Sequence, residues 1–259
     1  MSSGDVSRVS PDFLRRIGDA FAPVKKRTYA LMQPATGDAV LDLGCGPGTD
    51  TIPLAALVGS EGSVVGIDSD PEMIRVADGR AAAAGCSSVV RHVLADASSL
   101  PLEGERYDSC RSERVFQHLL DPERALAELR RVVKPGGTIV VADPDTASMS
   151  LDTTETDIAW RLPHSMAGVQ NNGYSARGLF RLFRTQGLEN VIAEVIPMIF
   201  HDYEVLRVLL RVKLDEVLRH AGLSVQDFER LEREIEEASR AQTFFGYVSM
   251  VVVAGKKPA

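Results

Sequence analysis

The chain is poor in the residues that build staples and metal sites. Three cysteines in 259 residues, Cys45, Cys86 and Cys110, make an odd number with no metal-ligand spacing between them. That excludes a disulfide scaffold and fits a reducing cytoplasm. Five histidines form no metal-spaced cluster, and no Ser/His/Asp order suggests a hydrolase. No metal is expected. Long apolar runs are also missing: none approaches the ~20 residues needed to cross a bilayer. Met1 to Ser10 is polar and carries no apolar signal core, so the expected location is the cytoplasm, with no membrane partner. Basic charge is in deficit, with 29 Lys and Arg against 36 Asp and Glu, a net of −7. An acidic chain argues against a nucleic-acid backbone as the main partner. Repeats and low-complexity tracts are absent. What remains, 44% hydrophobic and 25% charged, is ordinary globular composition. The length suits one large domain, or one domain with an inserted cap.

Against that background one stretch stands out, Val40-Leu41-Asp42-Leu43-Gly44-Cys45-Gly46-Pro47-Gly48-Thr49-Asp50. Its apolar start reads as a buried parallel strand with a single acid inside. Three alternate glycines, Gly44, Gly46 and Gly48, then demand a tight turn that something approaches closely. Ile52 to Val58 continues as a helix. The next strand, Ser63 to Asp68, ends on an acid 20 residues past Gly48, the spacing at which doubly wound folds set a carboxylate on ribose hydroxyls. The spelling is G-x-G-x-G with Pro47 inside, not the G-x-G-x-x-G of dinucleotide folds.

This first motif resembles that of the class I S-adenosylmethionine-dependent methyltransferases, nearly letter for letter. The stretch LAELRRVVKPGGTIVVAD, which ends at Asp143, resembles the same family, nearest its ubiquinone/menaquinone-type branch and natural-product relatives. The resemblance covers about Ala39 to Asp143. It implies an α/β fold: a doubly wound, seven-stranded, mostly parallel sheet with the last strand antiparallel, plus a helical cap. It also implies S-adenosylmethionine as cofactor and a small-molecule acceptor. Carried over residue by residue, Gly44, Cys45 and Gly46 pass beside the amino-acid half of the cofactor. Asp68 accepts from the ribose, Ser69 and Met73 flank the adenine, and Asp96 and Ala97 read its edge. Arg111 sits where the fourth strand ends, on the ligand side of such sheets. Cys45 reads as packing rather than a nucleophile.

Taken in order, Ser10-Pro11 starts a helix that Pro23 is expected to end, with a second short helix from Val24 to Met32; residues 1–33 thus form N-terminal helices. Helices are expected over Pro71–Ala84, Glu123–Val133 and Ser175–Thr185. Strands are expected over Val89–Leu94, Tyr107–Ser112, Thr138–Ala142, Glu189–Pro197 and Tyr247–Ala254, with a sharp turn at Lys134-Pro135-Gly136-Gly137. The whole chain, 1–259, reads as a single methyltransferase domain.

Two segments depart from the family pattern. Residues 146–172 are polar and mixed and are expected to face the acceptor, with Trp160 and His164, and Tyr174 just beyond, as contacts. Residues 202–241 insert helices between the last two strands, where a short hairpin is usual. Val205–Leu218 is apolar on more than one face, and Ser224 with Asp227 resembles a capping box. Such surplus apolar surface marks a lid over an apolar acceptor or a homodimer surface. Methyl transfer from a sulfonium needs alignment more than a catalyst. If a base is used, His118 and Asp143 are the candidates; related enzymes often read His-His where this chain has Gln117-His118. Two alternatives stay open: binding of S-adenosylmethionine without methyl transfer, in a cyclase or regulatory role, and a nicotinamide-dependent oxidoreductase.

Overall fold

The computed structural model describes residues 11–210 and 213–259. Seven strands form one sheet in the order β3-β2-β1-β4-β5-β7-β6, built from β1 (Ala39–Leu43), β2 (Ser63–Asp68), β3 (Val90–Leu94), β4 (Tyr107–Glu113), β5 (Val133–Leu151), β6 (Glu189–Phe200) and β7 (Gly246–Lys256). Strands β1 to β5 pair in parallel through four ladders. Strand β7 runs the other way along β5: Lys257 N–H donates to the Gly137 carbonyl at one end, and Asp152 N–H to the Phe245 carbonyl at the other. The strand order reverses beside β1, the switch point where open α/β sheets bind ligands at their carboxyl ends.

By compactness the described residues group into two units. A helical unit holds α1 (Pro11–Met32) as far as Lys25, Thr146–Val169 and Ile196–Ser249; a sheet unit holds Lys26–Asp145, Gln170–Val195 and Met250–Ala259. In the sheet unit, helix α4 (Pro122–Val132) lays Ala125, Leu126, Leu129 and Val132 into one core with Leu41, Leu43, Ile67 and Ile139. Helix α6 (Ser175–Thr185) adds Leu179 and Phe183. Each fully buried side chain of this size is worth about 1.5–3 kcal/mol of transfer free energy. Helices α2 (Thr51–Val58) and α3 (Pro71–Ala83) follow the first two strands.

The helical unit contains α5 (Thr156–Gly168), α7 (Tyr203–Leu210), α8 (Leu214–Ala221) and α9 (Val225–Arg240). Ile158, Leu162 and Met166, four apart, make the buried stripe of α5, and Phe228, Leu231 and Ile235 make that of α9. Ser165 donates to the Val217 carbonyl (2.7 Å), tying α5 to α8. The capping box is present: Asp227 N–H donates to Ser224 Oγ (3.1 Å), and Ser224 N–H to the Asp227 carboxylate (2.8 Å).

Four expectations change. Pro23 does not end the first helix; α1 runs through it to Met32. Phe21, Val24, Thr28 and Met32 form a buried stripe, and burial along it offsets a proline cost of about 3 kcal/mol. Its expected cap, Ser10, lies outside the described residues. Strand β5 extends to Leu151 because it keeps a partner in β7, and α5 fills about half of the polar, mixed segment 146–172. The expected turn at Lys134–Gly137 becomes a bulge: Tyr107 faces Val133 while Ser109 already faces Thr138. The single helix expected over Val205–Leu218 is two, α7 and α8, and Lys213 before α8 has φ +52°. Residues 211–212 between them lie outside the described residues.

Candidate cofactor and acceptor site

The glycine turn leaves the carboxyl end of β1. Gly44, Gly46 and Gly48 all have positive φ, +73°, +52° and +72°, a backbone region that glycine enters without the strain other residues pay. The three differ in surroundings. A Cβ on Gly44 would lie 2.1 Å from Val115 Cγ2; one on Gly46 would meet nothing within 4 Å. Gly46 therefore presents bare backbone to open space. Cys45 is buried, and burial pushes its thiol pKa well up, with Asp42 and Asp68 adding to the effect. A thiol pushed that way suits packing rather than a nucleophile.

Asp68, at the tip of β2, is half buried. One carboxylate oxygen accepts Gly46 N–H (2.8 Å) and the other Asp70 N–H (3.0 Å). An ionised carboxylate oxygen accepts more than one bond, so Asp68 both braces the turn and keeps acceptor capacity. Ser69 is exposed and Met73 half buried on α3. Asp96, past β3, is exposed; its Oδ1 takes both the N–H (2.7 Å) and the hydroxyl (2.5 Å) of Ser98. Those bonds hold its carboxyl below the ordinary carboxylate range. Leu94, just before it, is 53% exposed, an apolar surface that the sequence reading missed.

Arg111 stands near the end of β4, as expected, but inside the molecule. It faces Asp42 across the β1–β4 ladder and is fully buried. Its guanidinium reaches Asp42 (3.3 Å), Asp50 (3.1 Å) and Glu113 (2.6 Å), and lies over the Tyr29 ring at 5.4 Å. Tyr29 hydroxyl donates to Asp50, at the end of the glycine turn. Burial alone would lower the arginine pKa; the carboxylates outweigh it and raise it. Arg111 is thus an internal counter-ion that orders three acids rather than a side chain offered to a ligand.

Asp143, at the end of the parallel part of β5, is also fully buried. It accepts Val115 N–H (3.0 Å) and Ser175 hydroxyl (2.5 Å), and backbone N–H groups of Phe116 and Gln117 also support it. Burial nonetheless pushes its carboxyl up to about 7. Asn172 Nδ2 donates to the Phe116 carbonyl (3.2 Å) and Asn171 Nδ2 to that of His118 (2.9 Å). The loop 114–118 is therefore clamped from two sides, and through Val115 it lies on Gly44. His118 is exposed at the end of this short 3-10 turn, whereas Asp143 is sealed beneath it.

The three expected acceptor contacts divide between the units. Trp160 (64% exposed) and His164 stack on α5 with ring centroids 4.6 Å apart, in the helical unit. His164 Nδ1 lies 2.7 Å from the Trp160 carbonyl, to which it donates. Tyr174 belongs to the sheet unit, partly exposed, with the Arg177 guanidinium 5.1 Å over its ring. Among the described residues, no group of His, Cys, Asp and Glu could hold a metal ion, and no helix is long and apolar enough to cross a membrane.

Comparison with known proteins matches this geometry. A family model described as a methyltransferase domain matches residues 35–179. A 37.1 kDa protein in transposon TN4556 of Streptomyces fradiae is 37% identical over 185 residues, covering 71% of this chain and 53% of that protein. A ubiquinone/menaquinone biosynthesis C-methyltransferase of Marinomonas sp. (strain MWYL1) is 33% identical over 119 residues, covering 46% of this chain and 47% of that enzyme. The chain spans about half the length of these curated relatives. Among solved structures, geranyl diphosphate C-methyltransferase from Streptomyces coelicolor A3(2), crystallised with Mg2+, geranyl diphosphate and S-adenosyl-L-homocysteine, shares the fold with a TM-score of 0.60. Its identity is 15%, with 98% of this chain and 86% of that one covered.

Proposed function

The chain belongs to the class I S-adenosylmethionine-dependent methyltransferases, and on that premise we propose that it transfers the cofactor's methyl group to an O, C or N atom of a small, largely apolar organic acceptor. The observation that carries the reading is the pairing of open backbone at Gly46 with the brace of Asp68 beside it. A dinucleotide turn would aim a helix at a pyrophosphate; here the turn is held by an acid, which suits a ligand without phosphate. The residues fit the cofactor. Asp68 holds the ribose hydroxyls, Ser69, Met73 and Leu94 flank the adenine, and Asp96 with Ala97 reads its edge. Gly46 leaves room for the amino-acid end, and Gly44 and Cys45 pass the backbone beside it.

When bound, the cofactor supplies an activated methyl group on a positively charged sulfur. What the chain must then do is align and exclude water, which can be worth about 7–11 kcal/mol. Buried as it is, Asp143 is proposed as a positioning residue that fixes the loop 114–118, not as a base. His118, exposed on that loop, stays as the candidate proton acceptor. Trp160, His164 and Tyr174 are proposed to select the acceptor, and the ubiquinone/menaquinone biosynthesis named for one relative supports an apolar one. A cytoplasmic location and independence from membranes and nucleic acid accompany this reading.

The test is incubation of the purified chain with methyl-labelled cofactor and a panel of phenols, polyketides, quinols, prenyl compounds, sugars and amines. Acceptor-dependent formation of S-adenosylhomocysteine with label in the product supports the proposal. Tight cofactor binding with no label transferred to any acceptor favours the role without methyl transfer.

A further inference from the structure

A second line of polar groups reaches the glycine turn from behind, and the site described above does not use it. His92 lies on β3, an end strand of the sheet, yet its side chain is completely buried. Its Nδ1 is 2.8 Å from Asp78 Oδ1 on α3, and its Nε2 is 3.0 Å from Thr51 Oγ1, the first residue of α2. Thr51 is itself fully buried, and its hydroxyl is 3.3 Å from the carbonyl of Gly48. The ring sits in a slot that exists because residue 66 is glycine: a Cβ there would meet His92 Cδ2 at 2.7 Å and Cys45 Sγ at 2.8 Å. From the outer side, Arg80 Nη1 donates to the carbonyl of Pro47 (3.0 Å). Two successive carbonyls of the turn are thus each served by a side-chain donor, one from α3 directly and one from α3 by way of β3 and α2.

We propose that Asp78, His92 and Thr51 are a positioning relay that holds the glycine turn in the shape that receives the cofactor. The proposal rests on the cofactor reading above and deepens it. An imidazole buried only to fill space would be better replaced by an apolar ring or branched chain, because burying its two nitrogens costs free energy unless both are hydrogen-bonded. Here both are. In the relay both ring nitrogens donate, Nδ1 to Asp78 and Nε2 to Thr51 Oγ1, so the single Thr51 proton is left for the Gly48 carbonyl and controls how it points. Gly48 leaves no slack of its own: at φ +72° it already has Ala77 Cβ and Thr51 Oγ1 each 3.1 Å from where a Cβ would stand.

The experiment uses the full chain and S-adenosylhomocysteine as probe, with two readouts: calorimetric Kd, and amide hydrogen exchange of residues 45–51 in the free protein. The amide nitrogen of Gln reaches the place of Nε2, that of Asn the place of Nδ1. His92→Gln should therefore keep the link to Thr51 and bind within about threefold of wild type. His92→Asn and Thr51→Val should each weaken binding by about tenfold and speed exchange across the turn, and the double variant should lose no more than either single one. Asp78, 60% exposed, is a substitution that leaves the fold intact; Asp78→Ala should weaken binding by about threefold. Unchanged Kd and exchange in Thr51→Val or Asp78→Ala would overturn the relay, as would losses that multiply in the double variant or equal losses in His92→Gln and His92→Asn. A wild-type chain that fails to bind the probe defeats the cofactor reading instead, and the relay is then decided by the exchange rates alone.

Discussion

The two units are built on different physics. Among the described residues, every buried charged side chain, Asp42, Asp50, Arg111, Glu113, Glu128 and Asp143, belongs to the sheet unit; the buried polar residues of the helical unit are only Thr146 and Ser165. The sheet unit holds charges in low dielectric, where each must be matched and where position is specified sharply. The helical unit is held by apolar stripes at helical spacing, which tolerate repacking when volume is conserved. A cofactor that never changes calls for the first kind of architecture. On the function proposed here, an acceptor that differs from one family member to the next falls to the second.

The comparison can be broken most severely at Arg111. Arg111→Met should cost about 3–5 kcal/mol of stability, because three buried acids lose the cation they face; urea denaturation reads it. A loss below 1 kcal/mol would mean that the acids are balanced by something other than this arginine. Next comes Asp143. Its folded pKa of about 7 lies above the ordinary value near 3.9, so the folded state holds its proton more tightly than the unfolded chain. Its contribution to stability is fully present below about pH 4 and lost as pH rises through 7. Asp143→Asn removes that titration: wild type minus variant stability should fall from pH 4 to pH 8 by up to roughly 4 kcal/mol. A flat difference in parallel urea series would remove the burial argument.

Asp68→Ala is smaller and sharper, since it tests binding rather than folding. Loss of charge-assisted hydrogen bonds at about 1.5–3 kcal/mol each should raise the cofactor Kd at least tenfold by calorimetry; an unchanged Kd would misplace the ribose. The smallest effect belongs to the helical unit. Trp160→Ala should alter stability by less than about 0.5 kcal/mol and leave cofactor Kd alone while raising the acceptor KM. If cofactor Kd moved as much as acceptor KM, the division of labour between the units would fail.

The same contrast explains what could be read from sequence. The glycine turn and the places of Asp68 and Asp96 at or just past their strand ends were legible because tight turns favour glycine and the strand pattern fixes the spacing. Strands β1 to β4 and β7, with α3, α4 and α6, followed from periodicity and caps within a residue or two, whereas β5 and β6 run further than their apolar cores because they keep partners in the sheet. Arg111 was placed at the right strand end and given the wrong neighbours, because its partners Asp50 and Tyr29 come from other elements and no local pattern links them. His92, Thr51 and Asp78 gave no signal at all: each is ordinary alone, and their meeting is set by how α2, α3 and β3 pack. Pro23 misled because local propensity lost to burial of a continuous stripe. Helix α5 was hidden by its own composition, with Pro163 inside and polar residues around Trp160.

The contact between Gly44 and Val115 has a consequence for anyone who varies this chain. Seventy-one positions separate them, yet they occupy one volume: a single methyl group at 44 would have to lie 2.1 Å from a methyl of 115. Trimming Val115 supplies space but leaves φ +73° at position 44, which costs a non-glycine residue about 1–2 kcal/mol. Enlarging residue 115 drives its side chain onto the bare turn. Positions 44 and 115 are therefore one choice, and a library that randomises either alone samples mostly turns that cannot close.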